Sequence, residues 1–320
     1  MSAPAAMQTM VCNYLNERRR LGFELKSPGR TLMSFAHYID ALEHCGPLTV
    51  EIMAQWARQD KWKRDDPATW ARRLKLLRPF TRYLCQFEPR TEIPDESIFG
   101  PIQERLTPHI YHEQEIVDLL GAARTLRPPG GLRPATYETL FGLIAAAGLR
   151  VSEAVHLSEA DVNLKLGLLT VRQTKFAKSR QLPLHPSTID ALHRYHNQRD
   201  QHVAVNAEMP FFVSGKGKGL GLRQVRRVFA ALRQQLGWVS RGGHDQPRIQ
   251  DLRHTFAVRR VTLWQAQGTE IDQAMLALST YMGHAKISNT YWYLTAIPEL
   301  MAVAAGKFEQ FAQVPEVEDA

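Results

Sequence analysis

The chain has 320 residues, 44% of them hydrophobic and 22% charged, a balance that excludes a disordered polymer and leaves room for two domains with sizeable cores. Its net charge of +8 points to a polyanionic partner, most simply nucleic acid, although a mildly basic soluble surface gives the same number. Three widely spaced cysteines, Cys12, Cys45 and Cys85, argue against a disulfide framework or a zinc site and suit a reducing cytoplasm; all three are expected as small core residues.

Residues 1–10 carry neither the basic start nor the apolar run of a secretion signal. The longest apolar run, Leu140–Leu149, is ten residues, about half a membrane span, so no membrane partner is expected. Residues 1–92 read as an N-terminal helical domain. Val11, Tyr14 and Leu15, then Leu32, Phe35, Ala36, Ile39 and Leu42, recur at helical spacing. Gly46-Pro47-Leu48-Thr49 breaks the pattern, with Thr49 placed to cap a helix opening at Val50. A further helix is expected over Pro67–Phe87, with Trp70, Leu74, Leu77, Phe80, Thr81 and Leu84 inward and Pro79 as a kink point.

Between 58 and 82, Arg58, Lys61, Lys63, Arg64, Arg72, Arg73, Lys75, Arg78 and Arg82 face only Asp60, Asp65 and Asp66, with Trp56, Trp62 and Trp70 interleaved. A basic helical face of this kind suits a DNA backbone, because each cation displaces a condensed counterion. Arg72, Arg73 and Lys75 are the DNA-binding candidates here, against the alternative of a solvated helix face over buried tryptophans. Pro89, Pro94, Pro101 and Pro108 then break helices, and the linker is placed at 93–108.

The second domain, 109–313, opens with a helix near His112–Leu126 and breaks at Pro128-Pro129-Gly130-Gly131 before the apolar helix Tyr137–Ala147. Leu168–Gln173 and Arg180–Leu184 read as the strands of a hairpin. Helices are expected at Ser187–Gln198, Leu222–Leu236, Ile249–Ala266, Ile271–Met282, Ser288–Trp292 and Pro298–Gln313, ahead of an acidic tail at 314–320. The stretch 215–221 alternates glycine with lysine but lacks the Gly-Lys-Ser/Thr ending of a phosphate loop, so it reads as a turn. Arg223, Arg226 and Arg227 on the helix after it are further DNA-binding candidates, with a solvated face as the alternative.

Four boxes carry the chemistry. They are Gly148-Leu149-Arg150-Val151-Ser152-Glu153, the hairpin with its lysines, Asp251-Leu252-Arg253-His254-Thr255-Phe256, and Gly283-His284 with Tyr293 nine residues on. Phosphodiester transfer gathers charge on the nonbridging oxygens, which arginine forks match at any working pH. It also needs an in-line nucleophile and an acid for the leaving oxygen. Arg150 and Arg253 fit the first need, Tyr293 the second and a hairpin lysine the third. With no Asp/Glu cluster, a two-metal route is disfavoured, and neither metal nor other cofactor is expected.

In order and spacing these boxes resemble the tyrosine recombinases, also called the phage integrase family, over roughly residues 108–300; the N-terminal region is similar to their core-binding domain only in size, helicity and charge. The resemblance implies a mainly α fold with a small β-sheet: an N-terminal helical core-binding (SAM-like) domain and a tyrosine recombinase catalytic domain, clamping duplex DNA. It implies that Arg150 and Arg253 hold the scissile phosphate and that Lys175, with Lys178 as fallback in the same turn, protonates the departing 5′-oxygen. His284 would hydrogen-bond the phosphate, and Tyr293 would form a 3′-phosphotyrosyl bond. Glu153, one helical turn past Arg150, is read as its support. One position departs: where the family usually has histidine or lysine, three residues before the second arginine, this chain has Gln250, which donates a hydrogen bond but accepts no proton near neutral pH. His244 and His254 are the remaining candidates for that proton. The implied activity is metal- and ATP-independent site-specific recombination, with phage integration, chromosome-dimer resolution, movement of a mobile element and inversion all open as its setting. The implied partners are duplex DNA carrying recombination sites and a homo-tetramer on that DNA, with partner recombinases as further candidates. The apolar face of Pro298–Phe311 is expected to dock on a neighbouring subunit. A binding-only homologue weakened at Gln250, or a DNA-relaxing enzyme of the same chemistry, are the competing readings.

Overall fold

In the computed structural model the chain divides into two compact units, Met1–Arg105 and Leu106–Ala320. The structure describes residues 6–59, 66–100, 105–172, 179–204, 206 and 208–295, and of residues 272 and 293–295 the backbone alone. Trp62, Lys61, Lys63, Arg64, Lys175, Lys178 and the segment Pro298–Gln313 lie outside the described residues.

The first unit is built from α1 (Met7–Arg20), α2 (Lys26–Ala41), α3 (Val50–Arg58) and α4 (Pro67–Leu84). Each contributes apolar residues at intervals of three and four, so each buries one stripe. Val11 and Leu15, Phe35 and Ile39, Met53 and Trp56, Leu77 and Phe80 meet in one core. Rings set its geometry: Phe35 and Trp56 pack edge to face at 5.1 Å, Tyr14 and Phe80 at 5.5 Å. The helix starts are specified locally. Thr49 accepts from the Ile52 N–H at the head of α3, and Asp66 from the Ala68 N–H at the head of α4, followed by Pro67 in the first turn. Asp40 at the end of α2 accepts from Met7 N at 2.7 Å, an acceptor placed where α1 has unpaired donors. α4 runs through Pro79 without interruption. Cysteines depart from expectation: Cys12 and Cys45 are exposed and Cys85 is half-buried. Cys12 sits off the Val11–Tyr14–Leu15 stripe of α1, and Cys45 lies in the turn after α2, so neither position faces a core.

The second unit contains α5 (Glu113–Arg124), α6 (Leu132–Ala147), α7 (Val151–Val155), β1 (Val162–Asn163), β2 (Leu168–Val171), β3 (Arg180–Pro183), α8 (Pro186–Asp200), α9 (Leu222–Gln235), α10 (Ile249–Ala266), α11 (Ile271–Met282) and α12 (Ser288–Thr295). α6 is buried on nearly all sides and touches α5, α8 and α10, which explains its long apolar run. It begins at Leu132 rather than Tyr137, because Pro134 is tolerated in a first turn. The hairpin pairs antiparallel, Leu168 opposite Pro183 and Val171 opposite Arg180. β1 adds a third strand beside β2, too short to announce itself by alternation. Leu169, Val171 and Leu182 turn inward to the α-helical core.

Two glycines place the site. Gly148 ends α6 at φ +61° and lets the chain turn straight into α7; Gly283 ends α11 at φ +66°. A Cβ at Gly148 would overlap the Phe256 ring. Gly148→Ala is therefore expected to cost about 3 kcal/mol of unfolding free energy, from the left-handed conformation and the overlap together. Urea denaturation of the two proteins measures it, and a loss below about 1 kcal/mol would contradict the packing described.

Candidate active site

Three arginines from three elements converge on the end of α11. Arg150 caps the start of α7, Arg180 opens β3 and Arg253 lies in the second turn of α10. A helix leaves its last carbonyls unpaired, and here each of three consecutive ones has its own guanidinium. Tyr281 O accepts from Arg180 Nε at 2.7 Å, Met282 O from Arg253 Nη2 at 2.6 Å and Gly283 O from Arg150 Nη2 at 3.2 Å. Arg253 also donates to Gly148 O at 2.7 Å and is 1% exposed.

Glu153 closes the cluster from the other side. Its carboxylate accepts from Arg150 N and Nη1 at 2.9 and 2.6 Å and from Arg180 Nη2 and Nη1 at 2.9 and 3.2 Å, and lies 3.8 Å from Arg253 Nη1. Burial alone would push this carboxyl up. The hydrogen bonds and charge of Arg180, the Arg150 N–H and the Arg253 charge outweigh burial and hold it below the ordinary carboxylate range. Three cations against one anion leave an electropositive centre, with Arg150 the most open of the three, its side chain 31% exposed.

His284 follows directly, its N–H donating to Ser279 O at 3.0 Å in the capping turn. Ring Nε2 is 3.1 Å from Arg253 Nη2, and Nδ1 is 2.8 Å from Thr290 Oγ1. Burial first, and then the charges of Arg253, Arg150 and Arg180, push its pKa down to about 3, so the ring is neutral near pH 7. His254, the residue after Arg253, packs edge-on to Trp292 at 5.6 Å and is pushed down to about 4, mainly by burial. His244, in the loop before α10, is also lowered, by burial and then the Arg248 charge.

Arg150, Glu153, Arg253 and His284 are thus brought together. Gln250 sits in the first turn of α10, partly exposed, and is not hydrogen-bonded to that cluster among the described residues. Tyr293 lies on α12, three residues after Thr290. Sequence reasoning did not single out Arg180 or Thr290. Arg180 had a signal: it shares the inward face of β3 with Leu182, an unusual place for a cation without a partner. Thr290, fully buried, had none beyond its place in the tyrosine helix.

The DNA-binding candidates divide. Arg223, Arg226 and Arg227 are exposed on α9, opposite the buried Val225, Val228 and Phe229, and exposed Lys216 and Lys218 stand in the turn before them. On α4, Arg72 is exposed, while Arg73 stacks over Trp56 at 4.2 Å and donates to Gln59 O at 2.6 Å. Lys75 is 3.5 Å from Glu96, which also pairs with Arg78. His109, beside the expected linker, is fully buried against Tyr111 and Arg241 rather than presented to solvent. Among the described residues, no three His, Cys, Asp or Glu side chains group as metal ligands, and no helix is long and apolar enough to cross a membrane.

The model of the phage integrase family matches residues 110–299. Over 308 residues the chain is 39% identical to y4rB of Sinorhizobium fredii, named as an integrase/recombinase, with 94% of this chain and 96% of that protein aligned. It is 27% identical over 236 residues to tyrosine recombinase XerC of Bacillus subtilis, covering 73% of this chain and 72% of that protein. The solved structure of the Tn1549 transposon integrase with transposon right end DNA shares the fold, with TM-score 0.71 at 15% identity over 96% of this chain and 99% of that one. The XerH site-specific recombinase bound to its difH substrate gives 0.63 at 18% identity over 94% and 85%.

Two outcomes follow from the cluster. His284 has its folded pKa near 3, against 6.5 ordinarily, so its contribution to stability is complete above about pH 6.5 and is lost as pH falls toward 3. His254, near 4, acts with the same sign. Urea denaturation between pH 6.5 and 5 is expected to show falling stability, with a slope shallower by up to about 1.4 kcal/mol per pH unit in His284→Gln; an unchanged slope would show that His284 titrates normally. The second concerns Arg180, whose fork occupies both oxygens of Glu153. Arg180→Gln leaves that carboxylate to Arg150 and Arg253 and is expected to lower anion affinity. Adding Glu153→Gln should restore it at least in part, as read by phosphate-dependent protection against thermal unfolding, and a double variant no better than the single would refute the charge balance described.

Proposed function

Because this chain belongs to the phage integrase family of tyrosine recombinases, enzymes of site-specific DNA recombination, we propose that Tyr293 is its nucleophile and that Arg150, Arg253 and His284 hold the scissile phosphate. The observation that carries this reading is the convergence of Arg150, Arg253 and His284 on the end of α11, from which the chain enters the helix bearing Tyr293.

The Tyr293 oxygen attacks phosphorus, gives its proton to solvent water and forms the 3′-phosphotyrosyl bond. The bond to the 5′-oxygen breaks, and that oxygen takes a proton from Lys175 and leaves as a hydroxyl. Arg150 and Arg253 stabilise the charge that builds on the nonbridging oxygens. Each is already aimed by a main-chain carbonyl and by Glu153, so little reorganisation accompanies the reaction. The phosphotyrosyl ester conserves the energy of the broken bond, and attack by a 5′-hydroxyl reverses the step. Gln250 supplies a hydrogen-bond donor to the phosphate in place of a proton acceptor. The exposed row Arg223, Arg226 and Arg227, with Arg72 and Lys75 on the first unit, contacts the duplex backbone, while Arg73 stays on Trp56.

On DNA the working form is a homo-tetramer. An apolar groove lined by Leu184, Phe256, Trp264, Leu278 and Tyr281 receives the apolar face of Pro298–Phe311 from a neighbouring copy. Adjacent recombinase genes and terminal repeats in the genome would indicate a mobile element. A nicked suicide substrate tests the chemistry. Wild type is expected to form a covalent protein–DNA adduct, Tyr293→Phe none, and a chain lacking residues 298–320 the adduct without recombinants from a two-site substrate. No adduct with wild type would make this a binding-only protein, and relaxation of supercoiled DNA without recombinants a relaxing enzyme. Recombinants from the truncated chain would remove the docking segment from the assembly.

A further inference from the structure

Thr290 has no part in the chemistry above, yet it is fully buried and its hydroxyl lies 2.8 Å from His284 Nδ1. The opposite ring nitrogen, Nε2, is 3.1 Å from Arg253 Nη2. A guanidinium only donates, so in this arrangement Nε2 accepts, Nδ1 carries the proton and Thr290 Oγ1 accepts from it. The ring is neutral, pressed by burial and three cations, and therefore has one proton to place.

A phosphate oxygen only accepts. For His284 to bond it, Nε2 has to present an N–H. Arg150, Arg180 and Arg253 against Glu153 leave two positive charges around the ring, and a phosphodiester brings one negative charge. The surroundings stay positive, so the ring stays neutral and Nδ1 must give up its proton. A bare Nδ1 beside a buried side chain then needs a donor. A hydroxyl accepts from Nδ1–H in one arrangement and donates to Nδ1 in the other without moving its oxygen. A carbonyl or an ammonium cannot do both.

We propose that Thr290 is a positioning residue for His284, whose hydroxyl reverses its hydrogen bond so that the ring exchanges its Nδ1–H tautomer for the Nε2–H tautomer when a phosphodiester is bound. Nε2 takes one proton from water and Nδ1 returns one to water, so no net proton is exchanged. The proposal rests on reading His284 as a phosphate ligand. It also gives α12 a second role, because the helix that carries the nucleophile holds the histidine that must face the same phosphate.

The test uses full-length protein with ring-15N-labelled histidine and a duplex carrying the recombination site. Nitrogen shifts of His284, identified by their absence in His284→Gln, are expected to report Nδ1–H in the free protein. In the Tyr293→Phe complex with DNA they are expected to report Nε2–H. An Nδ1–H ring or a doubly protonated ring in the complex would overturn the proposal. In single-turnover cleavage, Thr290→Val should be slower by about 10-fold, the worth of one buried hydrogen bond, while Thr290→Ser stays near wild type. Valine cleaving as fast as threonine would also overturn it. Adduct formation by wild type is scored separately, so a wild type that forms no adduct counts against the nucleophile and not against the tautomer exchange.

Discussion

A single carboxylate, Glu153, makes the rest of the second unit's charge arrangement possible. Arg150, Arg180 and Arg253 come from a helix start, a strand and a helix interior, and all three meet on its oxygens or beside them. Like charges about 5 Å apart repel by about 3 kcal/mol at an effective dielectric of 20, so three guanidiniums do not gather unaided. The carboxylate offsets part of that repulsion, and the negative end of α11 offsets more. Such a buried cluster is weak as a source of net stability, since desolvation consumes much of the Coulomb gain. Its value is geometric: it holds cations close together in a place that remains positive overall.

Burial first, and then that residual charge, explain the histidine. A ring beside three cations cannot compete for a proton, so His284 stays a neutral hydrogen-bonding group across the range in which a free histidine would switch. A neutral ring can face either way electronically, and its direction is decided by its partners, Arg253 on one nitrogen and Thr290 on the other. Since Thr290 belongs to α12, the arginine cluster and the helix that carries Tyr293 share one mechanical link.

Much of this is legible from residue order. The helices at Ile249–Ala266 and Ile271–Met282 are legible to their ends, because glycines in the left-handed conformation, Gly268 and Gly283, follow them. α6 reads five residues short, since proline in a first turn looks like a break from sequence alone. β1, two residues long, exists only because β2 offers it an edge. At the site, Arg150, Arg253 and His284 stand out because their chemistry has a local signature. Arg180 and Thr290 do not, because their roles are relational: each matters through a neighbour more than a hundred residues away or through one ring nitrogen. Arg73 teaches the converse. A cation in a basic run looks available until its stacking on Trp56 is seen. The cysteines, apolar by habit, are expected in cores from which α1 and the turn after α2 direct them away.

The arginines read α11 through main-chain oxygens at 281, 282 and 283 and not through its side chains. Side-chain identity along that helix is therefore constrained by packing alone, and conservative replacements leave the three acceptors where they are. Length is constrained far more tightly. One residue added to or removed from α11 would rotate its end by about 100° and shift it by about 1.5 Å, moving all three acceptors away from their guanidiniums at once. The helix is built to drift in composition and to resist insertion or deletion.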